Sequence, residues 1–396
     1  MYAVGIDISK EKSTVAVISK EGKMLLKPFE IDHNNKGISL LLEKVKEYPK
    51  EKIRFLMEAT SHYHYQMLQA LIDEKYWVCV ENALTIKKYC DTDIRKVKND
   101  KKFSIKIANY LVEKWYRLKK YEPQEDIRKE LLFLSREYNK SINIRAKLKI
   151  QLGELIDKTF PGIKKIVNAE TRCELLLNIY EKYWNPKLVL EKNQKEFVKD
   201  IDNIAKKLGH KVGITIGIKI YELVPTVITS RPNNYITQLA ITNCIQLLRQ
   251  AIEASNNIIT EMNKLSSSLK EYKVVREMKG VGEKTCSRLI AEIGDVRRFK
   301  NANSLIAFCG IDTPSYQSGS FTATQRHITK RENKNLRKVG YEIMKNLKSS
   351  RPKQDNAVYE YIVKKELEGK NKAVAKIAGL NKFLRIYYAR VKEVYN

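Results

Sequence analysis

Aspartate is an unusual residue for the middle of a strand, yet Asp7 stands there, between Ile6 and Ile8 in the segment YAVGIDIS. Strand interiors disfavour it, and a charge taken out of water needs a partner or a cation. Alternation puts Asp7 on the face with Ala3, Gly5 and Ser9, opposite Val4, Ile6 and Ile8. Glu58 closes a second apolar strand, IRFLM, at its C-terminal edge, and Asp100 stands in KNDKKFSIKIA where an apolar helical stripe begins. If the first and fourth strands are neighbours, the three acids can converge on one end of a sheet. Hard oxygen ligands gathered that way bind Mg²⁺ or Mn²⁺, and a pair of such ions serves phosphoryl transfer. Taken singly, each acid has a plain explanation: a strand-end charge, a turn residue, a helix N-cap.

A second group lies near the other end. PSYQSGSF offers Ser315, Ser318 and Ser320, and Arg326, Lys330, Arg331 and Arg337 follow. The glycine after Ser318 lets the backbone come close to a phosphodiester. Serine is a weak nucleophile until a base or metal activates it, so the residues alone also fit a polar surface loop. The stretch ITKRENKNLRK reads as phosphate contacts opening a helix, or as a solvated basic face. Gly280-Val281-Gly282, flanked by Lys279 and Lys284, joins two helical patterns in the manner of a helix-hairpin-helix. The exposed amides of such a turn suit a backbone phosphate without reading base sequence, although any tight helical turn also favours glycine. His62 and His64 in SHYHY would be aimed apart by a helix and read as ordinary helix-surface residues.

The elements that must position these groups divide the 396 residues into three expected parts: 1–121, 122–265 and 266–396. In the first, YAVGIDIS, STVAVIS and MLLKPFEI show β-type alternation, with EGK as a turn. Then come the helix ISLLLEKVKEY, the strand KIRFLMEAT, the helix YHYQMLQALIDEKY, the strand WVCVEN and the helix KKFSIKIANYLVEKW. Three strands in a row and then strands alternating with helices predict a sheet that starts antiparallel and ends with crossovers. In the middle part, Ile127, Leu131, Leu134, Tyr138, Leu148, Leu152 and Leu155 recur at helical spacing, interrupted by Ser141 and Arg145. Coiled-coil dimerisation and intramolecular packing both satisfy that seam. The last part reads as helix, GVG turn, helix, then NSLIAFCGI as short helix or strand, a long polar loop, LRKVGYEIMKNL, and a helical tail from Asn356.

Lys and Arg number 75 against 46 Asp and Glu, a formal charge of +29. Such an excess draws polyanions, chiefly through counterion release from phosphate backbones, and nucleic acid is the expected partner. No apolar run approaches a membrane span and MYAVGIDISK is no signal peptide, so an intracellular, cytoplasmic, DNA-associated protein without a membrane partner is expected. The six cysteines form no CxxC pair and read as reduced thiols in apolar segments. The 22 tyrosines include no platform of the RNA-recognition type.

GIDISK, MEAT and KND, followed by GVGEKT, IAEIGDVRRF, YQSG and ITKRENKNLRK, together resemble the DEDD transposases that pair a RuvC-like domain with a serine-bearing domain. These are relatives of the Piv-type DNA invertases and include bridge-RNA-guided recombinases. The resemblance implies an RNase H-like (RuvC-like) metal domain, a helical or coiled-coil middle and a mainly helical C-terminal domain. It implies a DNA transposase in which Asp7, Glu58 and Asp100 hold Mg²⁺ or Mn²⁺ and Ser318 attacks DNA to form a covalent phosphoserine. Arg and Lys nearby would steady the phosphorane charge. Partners would be DNA and a structured bridge RNA, and a homodimer or homotetramer would join the acids of one subunit to Ser318 of another. The family's third motif carries two acids three residues apart, and here the second position is Phe103. That departure leaves two rivals: a cleavage-deficient nucleic-acid-binding homologue, and a RuvC-type nuclease that uses water.

Overall fold

Seven mostly buried residues, Tyr2–Ile8 (β1), form the centre of a five-stranded sheet in the computed structural model of the protein. The structure describes residues 1–59, 63–90, 99–121, 126–313 and 327–396, and the backbone of 317–318 and 321–322. The chain separates into two compact units, Met1–Pro123 and Gln124–Asn396.

In the first unit β1 pairs antiparallel with β2 (Lys12–Ser19), which pairs antiparallel with β3 (Met24–Asp32). On its other side β1 runs parallel to β4 (Ile53–Glu58), and β4 to β5 (Trp77–Glu81), giving the order β3-β2-β1-β4-β5. The antiparallel start and crossover finish expected from the strand pattern are both present. Val4, Ile6, Phe55 and Met57 pack against Leu41 and Val45 of α1 (Asn35–Val45) and Met67 and Leu71 of α2 (His64–Asp73). The opposite face, with Ala3, Leu56 and Cys79, meets Ile86 of α3 (Ala83–Cys90) and Ile107, Ala108 and Leu111 of α4 (Asp100–Glu113).

Two local readings need correction. The helix α3 was not anticipated, because ENALTIKKYC is too short and mixed for a clear stripe; Asn82 starts it by accepting a hydrogen bond from the Leu84 amide at 2.8 Å. His64 is buried and not on a helix surface, with its ring against Tyr65 at 4.3 Å between centroids, while His62 lies outside the described residues.

The second unit is built on two long helices, α5 (Asp126–Thr159) and α11 (Tyr235–Ser267). Between them come α6 (Ile163–Val167), α7 (Cys173–Lys182), α8 (Pro186–Leu190), α9 (Gln194–Lys207) and α10 (Gly213–Leu223). After them follow α12 (Tyr272–Glu277), α13 (Glu283–Ile293), α14 (Ala302–Cys309), the hairpin β6 (Gln317–Ser318) and β7 (Phe321–Thr322), α15 (Lys334–Ser350), α16 (Ala357–Leu367) and α17 (Lys372–Glu393). NSLIAFCGI is thus helical, and the tail is two helices.

Helices α5 and α11 run antiparallel. Leu152 and Ile156 share one core with Ile241, Ile245 and Leu248, while Leu131 shares a second core with Ile259 and Met262. The seam on α5 is therefore covered within the chain, and Ser141, which interrupts it, donates its hydroxyl to the Ala251 carbonyl at 3.4 Å. A buried ion pair ties the start of α5 into the C-terminal core. Arg128 and Glu271, each 1 % exposed, meet at 2.7 Å, and Arg128 also donates to Tyr395 Oη at 2.8 Å. Burial pushes the Cys79, Cys286 and Cys309 thiols up to about 12. Among the described residues no helix is long and apolar enough to cross a membrane.

Gly5 lies directly against the backbone of α4. A Cβ there would stand 2.2 Å from the Ser104 carbonyl oxygen and 2.4 Å from the Ala108 nitrogen. Gly5→Ala must push α4 off the sheet, and overpacking of this kind costs about 3 kcal/mol. Hydrogen exchange of β1 and α4 amides in urea is expected to show loss of protection at lower denaturant than in the unaltered protein, with α17 unaffected.

Candidate active site

The register of the parallel strands decides where the first two acids stand. Ile6 is opposite Met57, so the next position in each strand, Asp7 and Glu58, falls side by side at the C-terminal edge. Both lie on the face that carries Ala3 and Leu56, the face covered by α4. Asn99, not Asp100, caps α4, accepting from the Lys101 amide at 3.0 Å. Asp100 is the first residue of the helix and is exposed, as a carboxylate at a helix N-terminus can be without penalty.

The Gly5 contact brings the first turns of α4 over the same edge. Lys12, at the start of β2, reports this placement. Its ammonium is raised in pKa first by its 2.6 Å pair with Glu30, and to a lesser extent by the charges of Asp100 and Asp32. Asp7, Glu58 and Asp100 thus share one sheet edge. Among the described residues, however, no three acidic, histidine or cysteine side chains gather closely enough to hold a metal ion. Oxygen donors of this kind suit Mg²⁺ or Mn²⁺ in chemistry, but their spacing does not close on one point.

Two neighbours of these acids refine the picture. Phe103 is half-buried and packs on the cluster containing Ile107, Tyr110 and Leu111, so its apolar side chain has a structural place. Ser104, one turn after Asp100, is fully buried, and its hydroxyl donates to the Lys101 carbonyl of its own helix at 3.0 Å, so it does not stand in for the missing acid. One carboxylate was missed from sequence: Glu81 ends β5 directly opposite Glu58. The signal was available, because WVCVE ends an alternating strand in an acid just as IRFLME does.

In the second unit, Ser318 ends β6 and pairs with Phe321 of β7. What reads from sequence as one long polar loop therefore contains a hairpin, and its base is fastened. Thr329 donates from its hydroxyl to Asp312 Oδ1 at 2.5 Å and from its amide to the Asp312 carbonyl at 3.1 Å, and the Lys330 amide meets the Gly310 carbonyl at 3.0 Å. Ser315, Ser320 and Arg326 lie outside the described residues. Lys330 and Arg331 are exposed. Arg337, expected at a phosphate, is half-buried and donates to the Cys309 carbonyl at 2.8 Å and the Lys330 carbonyl at 3.4 Å.

The glycine turn between α12 and α13 is likewise more engaged than expected. Gly280 has φ +85°, and a Cβ there would meet the Ile343 carbonyl oxygen and Leu347 Cβ, each at 2.9 Å. The Val281 amide donates to the Met278 carbonyl at 3.0 Å and the Gly282 amide to Thr285 Oγ1 at 2.8 Å. These two amides are occupied within the protein; Lys279 and Lys284 are exposed beside them.

Comparison with known families follows these two regions. A family model described as a transposase of the DEDD type matches residues 4–161, covering the sheet with all three acids. A second, described as transposase IS116/IS110/IS902 family, matches residues 272–360, covering the glycine turn, Ser318 and the basic stretch after it. No curated protein matches the chain. The two matches make the chain a transposase, an enzyme class that cuts and rejoins DNA. The chain belongs to the IS110 family of insertion-sequence transposases. Its partner is accordingly DNA.

The internal bonds of Arg337 generate a prediction. Arg337→Ala should lower the unfolding free energy measured in urea by about 1–2 kcal/mol through two lost charge-assisted hydrogen bonds, whereas Arg331→Ala, at an exposed position, should leave it unchanged.

Proposed function

We propose that this transposase exchanges phosphodiester bonds through a covalent phosphoserine on Ser318, in concert with an RNase H-like (RuvC-like) acidic edge formed by Asp7, Glu58 and Asp100. The observation that carries the reading is the β1–β4 register, which sets Asp7 and Glu58 side by side at the strand ends over which α4 begins. The sheet order β3-β2-β1-β4-β5 supports the RNase H-like assignment. A divalent cation, Mg²⁺ or Mn²⁺, supplies Lewis acidity when bound to such carboxylates. The described side chains do not close on one point.

Ser318 is the nucleophile in this proposal. Its oxygen bonds to phosphorus, the displaced DNA oxygen leaves as a hydroxyl, and rejoining reverses the step with a different DNA hydroxyl. One phosphodiester is exchanged for another, so no external energy source is needed. In this reading the exposed Lys330 and Arg331 offset charge on the phosphate, with Arg326 as a further member of the basic stretch and Arg337 held on backbone carbonyls behind it. Lys279 and Lys284, beside Gly280 and Gly282, hold a DNA backbone as a helix-hairpin-helix does, through side-chain charge more than through the turn's occupied amides.

The functional division is 1–121, 122–265 and 266–396: metal domain, helical spacer, serine-bearing domain. The acids and Ser318 lie in different compact units and act on one phosphodiester in a homodimer or homotetramer. A structured bridge RNA pairs with donor and target DNA, and the protein works inside the cell.

Incubation with labelled donor DNA and Mn²⁺, followed by denaturing electrophoresis, should trap a protein–DNA adduct that Ser318→Ala abolishes. Cleavage that persists without an adduct would instead favour a nuclease using water. One observation favours a second reading, a homologue that binds but no longer cuts: Phe103 is packed as an apolar residue where the family's motif has an acid. In that case strand transfer should appear only in Phe103→Asp, and activity in the unaltered protein would exclude it.

A further inference from the structure

A cavity on the second unit is lined by none of the residues of the acidic edge or the serine hairpin. It has a volume of about 340 Å³ and opens between α5, α13 and α15. Its walls are Tyr138, Ile142, Arg145 and Lys149 from α5, Arg288 from α13, and Lys338 and Glu342 from α15. Four cations thus face one carboxylate. That carboxylate is already matched, because Arg288 donates to Glu342 through both terminal nitrogens, at 2.5 and 3.3 Å.

The remaining chemistry is uneven in an informative way. Arg288, 5 % exposed, is spread over the Tyr138 ring at 5.0 Å, so the floor is a fixed aromatic–guanidinium surface. Arg145, Lys149 and Lys338 stand at the rim, each more than 4.0 Å from any carboxylate among the described residues, and Lys149 and Lys338 are exposed. A small concavity with a flat π-bearing floor and a cationic rim fits one unstacked nucleotide with its phosphates, not the side of a duplex. Guanidinium and aromatic planes accept a base face, and lysines take phosphate oxygens. Each Glu342 oxygen keeps a lone pair beyond its bond to Arg288, and a carboxylate among cations is suited to accept a hydrogen bond from a ribose 2′-hydroxyl, which DNA lacks.

We propose that the groove between α5, α13 and α15 seats an unstacked nucleotide of single-stranded RNA, with Tyr138 and Arg288 against the base, Arg145, Lys149 and Lys338 on its flanking phosphates, and Glu342 on the ribose hydroxyl. This deepens the guide-RNA part of the proposed function and rests on it, assigning a place on the protein where RNA is held.

The test uses the full chain and fluorescence anisotropy with a short single-stranded RNA, the DNA of the same sequence, and duplex DNA. The unaltered protein should bind the RNA more tightly than the matching single-stranded DNA. Lys149→Ala combined with Lys338→Ala should weaken RNA binding at least tenfold. It should reduce the salt slope by about 1.4, at about 0.7 per lost phosphate contact on a single strand, and leave duplex DNA binding within twofold. Both lysines are exposed, so an unchanged thermal midpoint will separate lost contact from lost fold. Ultraviolet crosslinking should place the RNA on the peptide containing Tyr138. Equal losses for RNA and either DNA, or no loss at all, would overturn the proposal. Because Ser318→Ala should keep full RNA binding, failure of the groove and failure of the phosphoserine chemistry are read in separate assays.

Discussion

No side chain other than hydrogen fits at position 5, and the placement of the acidic edge follows from that. The backbone of α4 lies directly on β1, with the Ser104 carbonyl and Ala108 amide where a Cβ would be. This contact fixes how far along the sheet α4 begins, and therefore where Asp100 stands relative to the strand ends. A helix held off by one methyl group would shift its first turn by a fraction of the distances over which carboxylates share a cation. The burial of Ile107, Ala108 and Leu111 against Ala3 and Leu56 supplies the driving force, and glycine removes the obstacle.

The second unit meets a different constraint. Two antiparallel helices, α5 and α11, pass through both of its cores, so the helical middle and the C-terminal bundle share their longest elements. The Arg128–Glu271 pair fastens α5 to the segment before α12, and Tyr395 near the C-terminus joins the same group. Such a buried pair is costly to break, since either charge left alone has no solvent to turn to. The hairpin carrying Ser318 is tied at its base by Asp312 and Thr329, and Arg337 clamps the carbonyls beside it. A basic residue close to a candidate nucleophile can thus serve the fold first, which is why charge near a serine does not by itself identify a phosphate contact.

Much of the first unit was legible in the residues because its strands are short apolar runs bounded by turns and its helices carry apolar stripes. The face of Asp7 followed from period-two alternation alone. The helix α3 was not legible, since eight residues with lysines in the last turn present no decisive stripe. Glu81 was overlooked for another reason: an acid at the end of an edge strand is unremarkable until the register sets it opposite Glu58. The seam on α5 was visible, but its partner was not, because a stripe of leucines specifies that it must be covered and not by what.

Residue types and their order along the chain determined the alternation that exposes Asp7 on one face, the helical period of α5 and α11, the excess of positive charge, and the motifs that mark an insertion-sequence transposase. Those properties are local or additive, and a linear reading captures them. Tertiary structure alone decided that Asp7 and Glu58 are neighbours, that Asn99 and not Asp100 caps α4, that Arg337 is spent on carbonyls, and that cations from three helices border a single groove. Each of these depends on strand register or on packing between segments distant in sequence, and such distances are set by the shape of the buried surfaces and not by spacing along the chain.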